Sequence, residues 1–188
     1  MTESCHAWAA EPSAWVARFA GLIAPGGTVL DLACGHGRHA RFFEAGGGRV
    51  TAVDRDAAAL AGLVRHAGIE AVEADLETGV WPLGGRRFDG IVVANYLHRP
   101  LFPRLIAALE EGGVLLYETF MIGNERFGRP SNPDFLLRPG ELLEAFAGAL
   151  SVIAFEQGEV AQPKPAMVQR LCAIKSGEAT QLRLPEPD

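Results

Sequence analysis

The chain has 188 residues, 48% of them hydrophobic and 21% charged, and a formal net charge of −6. That length suits one domain with a continuous core. No run approaches the roughly 20 apolar residues of a membrane span, and the acidic balance argues against a protein that holds nucleic acid by neutralising its phosphates. Cys5, Cys34 and Cys172 are too few and too scattered for a disulfide framework or a zinc site. The first residues include Glu3 and Glu11 and lack the basic-then-apolar pattern of a secretory signal. Reduced thiols in a cytoplasmic protein are expected.

Trp15, Val16, Phe19, Leu22 and Ile23 recur at helical spacing, which predicts a helix over about 13–24 that Pro25-Gly26-Gly27 ends. A strand over 28–33 and a helix over 38–45 follow, then a strand over 49–53 and a helix over 56–66. The alternation continues with strands over 69–73 and 88–94, a helix over 101–110 and a fifth strand over 113–119. Strands alternating with helices argue for an α/β fold, a parallel sheet covered on both faces. Residues 120–138 show no clear period and carry three arginines, a long loop of the kind that is usually functional. A helix over 139–150 precedes two apolar segments, 151–155 and 167–174, joined by a short connection that predicts antiparallel pairing. The reading is one domain over 1–188, with its core over 28–175 and a polar tail, 176–188, expected to fray.

The strongest local signal is the apolar strand that runs through Asp31 and Ala33 into Cys34-Gly35-His36-Gly37, with a helix beyond. Glycines there allow a sharp turn and a close approach by a ligand. Asp54 closes the second strand about 20 positions on, where an acid accepts the ribose hydroxyls of a nucleoside. Gly35-x-Gly37-x-x-Ala40 also satisfies the dinucleotide fingerprint, so a nicotinamide-dependent oxidoreductase stays in view. Against it, Asp31 would face a pyrophosphate, and Asp75 adds a third acid after the third strand. Three acids at successive strand ends suit S-adenosylmethionine, which carries no phosphate: Asp31 toward the ammonium group, Asp54 toward the ribose, Asp75 toward the adenine.

The stretch from Val29 to Thr119 resembles class I S-adenosylmethionine-dependent methyltransferases. Asp31, Gly35 and Gly37 match that family's first motif, and Asp54 and Asp75 its acids after the second and third strands. Phe88 to Asn95 matches the fourth strand, and Glu111-Gly112-Gly113 the approach to the fifth. The short chain and Gly140-Glu141-Leu142 are similar to the tellurite-resistance branch. The resemblance implies a doubly wound, Rossmann-like sheet of seven strands in the order 3-2-1-4-5-7-6, with the seventh antiparallel. It also implies a cofactor pocket of Asp31, Ala33, Gly35, Gly37, Asp54, Arg55, Asp75, Leu76 and Asn95.

Asn95-Tyr96 lacks the two prolines that base-methylating relatives carry after the fourth strand, which counts against a nucleic-acid base as acceptor. His98 is the candidate general base, since imidazole titrates near neutral pH; capping the next helix is its other reading. Tyr117, Glu118 and Thr119 are expected to face the methyl group. Residues 120–138 are expected to form a lid, with Asn124, Arg126 and Arg129 on an anionic part of the acceptor and Phe127 and Phe135 excluding water. His36 and His39 lack a third ligand in register, so no metal is expected. A small-molecule acceptor leads, because no appended recognition domain is visible; RNA or protein comes second on the arginines of 120–138.

Overall fold

The computed structural model describes residues 11–175; Cys5 and the polar tail over 176–188 lie outside them. Helix α1 (Ala14–Phe19) is started by Ser13, whose hydroxyl accepts from the Val16 N–H at 3.1 Å, and it tightens into a 3-10 turn over Ala20–Leu22. Strand β1 (Thr28–Leu32), helix α2 (Arg38–Ala45), β2 (Arg49–Asp54), α3 (Ala57–Leu60) and β3 (Ile69–Glu73) follow. Then come β4 (Phe88–Ala94), α4 (Phe102–Ala108) and β5 (Leu109–Phe120). Helix α5 (Glu141–Phe146) and the strands β6 (Ser151–Val160) and β7 (Ala166–Ile174) complete the domain. All seven strands share one sheet in the order β3-β2-β1-β4-β5-β7-β6, and β7 runs antiparallel to both of its neighbours. This is the order the resemblance implied.

The central strands read as apolar runs because both faces are covered. Leu30, Val53, Ile91 and Leu115 pack with α4 and α5 on one face, and Val29, Val50, Val92 and Leu116 with α1 and α2 on the other. Each fully buried Leu or Ile contributes about 1.5–3 kcal/mol. Asp89 ties the start of β4 to that of β1, accepting from the Thr28 N–H at 2.7 Å and its hydroxyl at 2.9 Å.

Several element bounds differ from expectation for local reasons. The helix expected over 56–66 is regular only over Ala57–Leu60: Asp56 caps it through the Ala58 and Ala59 N–H groups, and turns carry the chain on past Gly62. The helix expected to reach 110 stops at Ala108, because Leu109 pairs with Phe88 and opens β5 well before Gly113. The closing hairpin is longer than expected, with β6 running on to Val160.

Residues 120–138 are not structureless. Met121 bridges Leu137, the Ile122 N–H donates to the Leu137 carbonyl at 2.9 Å, and short 3-10 turns form over Asn124–Arg126 and Pro133–Phe135. The Arg99 guanidinium pins the segment, donating to the carbonyls of Asp134 (2.8 Å) and Leu136 (2.9 Å) and to both Glu141 oxygens (2.5 and 3.1 Å). The excursion is therefore a fixed wall in this structure.

Candidate active site

The carboxyl ends of β1 to β5 open onto one cleft of about 370 Å³. Ala33 lines it after β1, Asp54 and Arg55 at β2, Asp75 and Leu76 after β3, and Asn95 after β4. Ala33 (φ 53°) and Asn95 (φ 58°) are the non-glycine residues with positive φ among the described residues, each just past the end of one of two adjacent strands. Left-handed backbone is costly for alanine and tolerated by asparagine. Such strain concentrates at ligand sites.

The two glycines of the turn have different physical jobs. Gly35 (φ 54°) has no atom within 4 Å of where a Cβ would stand, so its backbone faces open space. Gly37 (φ 72°) is packed against Leu63, whose methyls lie 2.6 Å from such a Cβ. Gly35 thus leaves room for a ligand and Gly37 lets α2 close on the core. Asp54 joins turn to strand: its carboxylate accepts the Gly35 N–H at 2.7 Å on one oxygen and the Asp56 N–H at 2.9 Å on the other. A carboxylate has about four acceptor positions, so two remain for a ligand's hydroxyls.

Asp31, Gly35 and Gly37 lie outside the cleft lining. Asp31 is 1% exposed beneath the turn, accepting the Ala40 N–H at 2.9 Å. Burial pushes its carboxyl up to about 7, against the opposing pull of that hydrogen bond and of Arg38. His39 lies 3.9 Å away and is also buried; its Nε2 accepts the Ser13 N–H, and burial pushes the ring down to about 3. His39 therefore ties α1 to the glycine turn, while His36 is exposed. Cys34 is buried, its thiol pushed up by burial and by Asp31.

Past β4 the outcome differs residue by residue. His98, half-buried, stands at the head of the 3-10 turn Arg99–Leu101 and is not among the residues lining the cleft. Of the three residues expected to face the methyl group, only Thr119 lines the cleft. Tyr117 is buried against Phe102 and Phe146, its hydroxyl donates to the Tyr96 carbonyl at 3.0 Å, and burial pushes the phenol up. Glu118 turns to the opposite face and pairs with Arg170 at 2.5 Å. Consecutive strand residues alternate in direction, so the three cannot share one target.

The lid expectation is corrected in the same way. Asn124 is buried and spent on structure, donating to the Pro130 carbonyl and accepting from the Met167 N–H. Arg126 is held by the Gly123 carbonyl and Glu159 and lies over the Phe127 ring. Arg129 is exposed and makes no hydrogen bond or ion pair among the described residues. Pro130 and Phe135 form part of the cleft wall; Phe127 does not. Sequence reasoning missed Tyr96, Leu97 and Glu77, which also line the cleft; their nearness to Asn95 and Asp75 was the available signal. No group of three or more His, Cys, Asp or Glu side chains that could hold a metal ion occurs among the described residues.

The Rossmann-like sheet sets the open backbone of its first turn beside an acid at the second strand, an arrangement that suits a nucleoside. Its cleft carries Asp54, Asp75 and Glu77 against the one guanidinium of Arg55, a setting that fits a cationic ligand and not a pyrophosphate. Residues 29–113 match the methyltransferase-domain family. Among solved structures, TehB from Haemophilus influenzae is 20% identical with a TM-score of 0.70; the match covers 85% of this chain and 61% of TehB, so the chain spans under two thirds of that relative. A TehB-like SAM-dependent methyltransferase from Corynebacterium glutamicum ATCC 13032 Kitasato is 22% identical with a TM-score of 0.66, over 92% of this chain and 93% of that one. The glycopeptide N-methyltransferase MtfA, in its complex with S-adenosyl-L-methionine, is 19% identical with a TM-score of 0.63, over 88% and 94%. No curated protein matches the chain by sequence.

The chain has the fold of class I S-adenosylmethionine-dependent methyltransferases, and within it residues 29–113 match a methyltransferase domain. No helix among the described residues is long and apolar enough to cross a membrane.

Proposed function

We propose that this domain methylates a small molecule whose nucleophile needs no proton removed by the protein. The observation that carries the reading is the cleft itself: about 370 Å³, near the bottom of the 300–1,000 Å³ range of ligand pockets, and without a histidine, lysine or cysteine in its lining. In this reading Asp54 holds the ribose hydroxyls and keeps Gly35 beneath them. Asp75 and Leu76 receive the adenine, and Ala33, Arg55 and Asn95 complete the wall. Asp31 and Gly37 act from below, as supports of the turn. Bound S-adenosylmethionine supplies an electrophilic methyl group on a sulfonium. The chain's residues then orient the acceptor and exclude water, and proximity of that kind lowers a barrier by roughly 7–11 kcal/mol.

Three features support a small acceptor over RNA or protein. The cleft is acid-lined. Arg126 and Arg138 are paired with Glu159 and with Glu141 and Glu144. Only Arg129 of the segment's arginines is left for a phosphate, far short of a basic face. The free, buried Cys34 and Cys172 suit a reducing cytoplasm.

Calorimetry tests the reading. S-adenosylhomocysteine should bind and NADH should not. Asp54→Ala, which removes a charged acceptor of several hydrogen bonds, should weaken binding by about 1.5–3 kcal/mol. Unchanged affinity in the variant, or a preference for NADH, counts against the assignment.

A further inference from the structure

Buried polar side chains find hydrogen-bond partners, and an exception calls for a physical reason. The described residues contain eight buried polar or charged side chains: Asp31, His39, Thr51, Glu118, Thr119, Asn124, Glu141 and Gln169. Seven have partners: Asp31 takes the Ala40 N–H, His39 that of Ser13, Thr51 the Arg86 guanidinium, and Glu118 that of Arg170. Asn124 holds Pro130, Glu141 holds Arg99, and Gln169 holds Arg138. Thr119 is 2% exposed, and its hydroxyl has none among the described residues. Thr119 lines the cleft.

Its place in the sheet says which ligand it meets. From β2 across β1 and β4 to β5 is three strand spacings of about 4.8 Å, or roughly 14 Å. Asp54 stands at the nucleoside end of that line and Thr119 at the other. The lining that follows β4 and β5 and comes from the 120–138 segment is uncharged: Asn95 and Tyr96, neither with a side-chain hydrogen bond among the described residues, and the apolar Leu97, Phe120, Pro130 and Phe135. Tyr96 stays a neutral phenol, pushed up to about 12 by burial and by Glu77 and Asp75. No cation in the lining faces this end, while Asp75 and Glu77 share the cleft, so an anionic acceptor is opposed.

We infer that Thr119 is the acceptor-recognising residue, and that the acceptor is a small, flat, neutral heteroaromatic amine that places one hydrogen-bonding ring atom in the Thr119–Asn95 corner and turns a separate ring nitrogen, its lone pair free, toward the methyl group. The proposal rests on the methyltransferase reading of the cleft. A flat ring suits the walls of Phe120, Phe135 and Tyr96, and an uncharged ring nitrogen carries its lone pair at neutral pH without help from a base. The acids of the cleft favour the cation that methylation of such a nitrogen leaves behind.

The experiment uses the full chain saturated with S-adenosylhomocysteine and two probes of similar size, isoquinoline and benzoate, followed by ligand-observed NMR. Isoquinoline should bind and benzoate should not. Thr119→Val keeps the shape and removes the hydroxyl; it should weaken isoquinoline about tenfold, as loss of one neutral hydrogen bond allows. Thr119→Ser should restore binding. S-adenosylhomocysteine affinity should be unchanged in both variants, and the valine variant should melt no lower than the parent, since no protein hydrogen bond is lost. Equal isoquinoline binding in Thr119→Val overturns the proposal, as does better binding of benzoate. A tenfold loss of S-adenosylhomocysteine affinity in that variant places Thr119 in the cofactor pocket and overturns it too. Failure of the parent chain to bind S-adenosylhomocysteine would instead strike the methyltransferase reading.

Discussion

Asp31 and His39 lie side by side under the glycine turn, both buried, and titrate in opposite senses. The Asp31 carboxyl is raised from 3.8 to about 7 by burial, so its stabilising contribution is complete below pH 3.8 and is lost as pH rises through 7. His39 is lowered from 6.5 to about 3, again by burial first. Its contribution is complete above pH 6.5 and is lost as pH falls through 3. Between about pH 4 and 6.5 each group imposes a slope of about 1.4 kcal/mol per pH unit, and the two slopes cancel. Asp31→Asn keeps a side-chain oxygen for the Ala40 N–H and removes one of the slopes. The unfolding free energy of the variant minus that of the parent should therefore rise by about 1.4 kcal/mol per pH unit from pH 4 to 7, about 4 kcal/mol in all. Urea unfolding at five pH values measures this, and the difference between proteins cancels every other titrating group. A difference that is flat across that range, or that falls with rising pH, refutes the account of the pair.

Two further perturbations separate support from contact. Gly37→Ala forces a methyl to within 2.6 Å of Leu63 at φ +72°, and should cost about 1–3 kcal/mol in denaturant unfolding. Gly35→Ala meets no atom within 4 Å, so its stability loss should be smaller, while S-adenosylhomocysteine affinity by calorimetry should fall more than in Gly37→Ala. Arg99→Ala leaves the Glu141 carboxylate, 6% exposed at its side chain, with Arg138 as its remaining partner and frees the Asp134 and Leu136 carbonyls. Breaking a buried pair costs 3–5 kcal/mol; with Arg99 itself 38% exposed, about 2 kcal/mol is expected. Hydrogen exchange should rise across residues 133–141 ahead of the sheet.

The sheet was legible because its signals are local and repeat. Apolar runs of five to seven residues, a Gly-x-Gly turn and acids at strand ends each depend on a few neighbouring residues, and the resemblance then supplied the strand order. What failed was periodicity read without partners. Leu101, Leu105 and Leu109 share a helical face, yet Leu109 belongs to β5, because Phe88 lies opposite it in the register and a strand pair outweighs one more helical turn. The 120–138 segment has no period for the same reason: its order comes from Arg99, Asn124 and Gln169, which act across 27 or more residues of sequence, except for the short reach from Asn124 to Pro130. Arginines in such a segment look like ligand groups when their carboxylates cannot be seen, and Glu159 and Glu144 become visible as partners only when the hairpin and α5 fold beside them.

One feature was available from strand parity alone. Tyr117 and Thr119 share a face that Glu118 does not, which rules out a trio converging on one atom. It leaves Tyr117 to the core beneath and Thr119 near the strand's end, in the lining of the cleft. The chemistry of the acceptor end thus follows from which residue of an alternating strand falls last. In this domain that residue is uncharged, buried and without a side-chain hydrogen bond among the described residues.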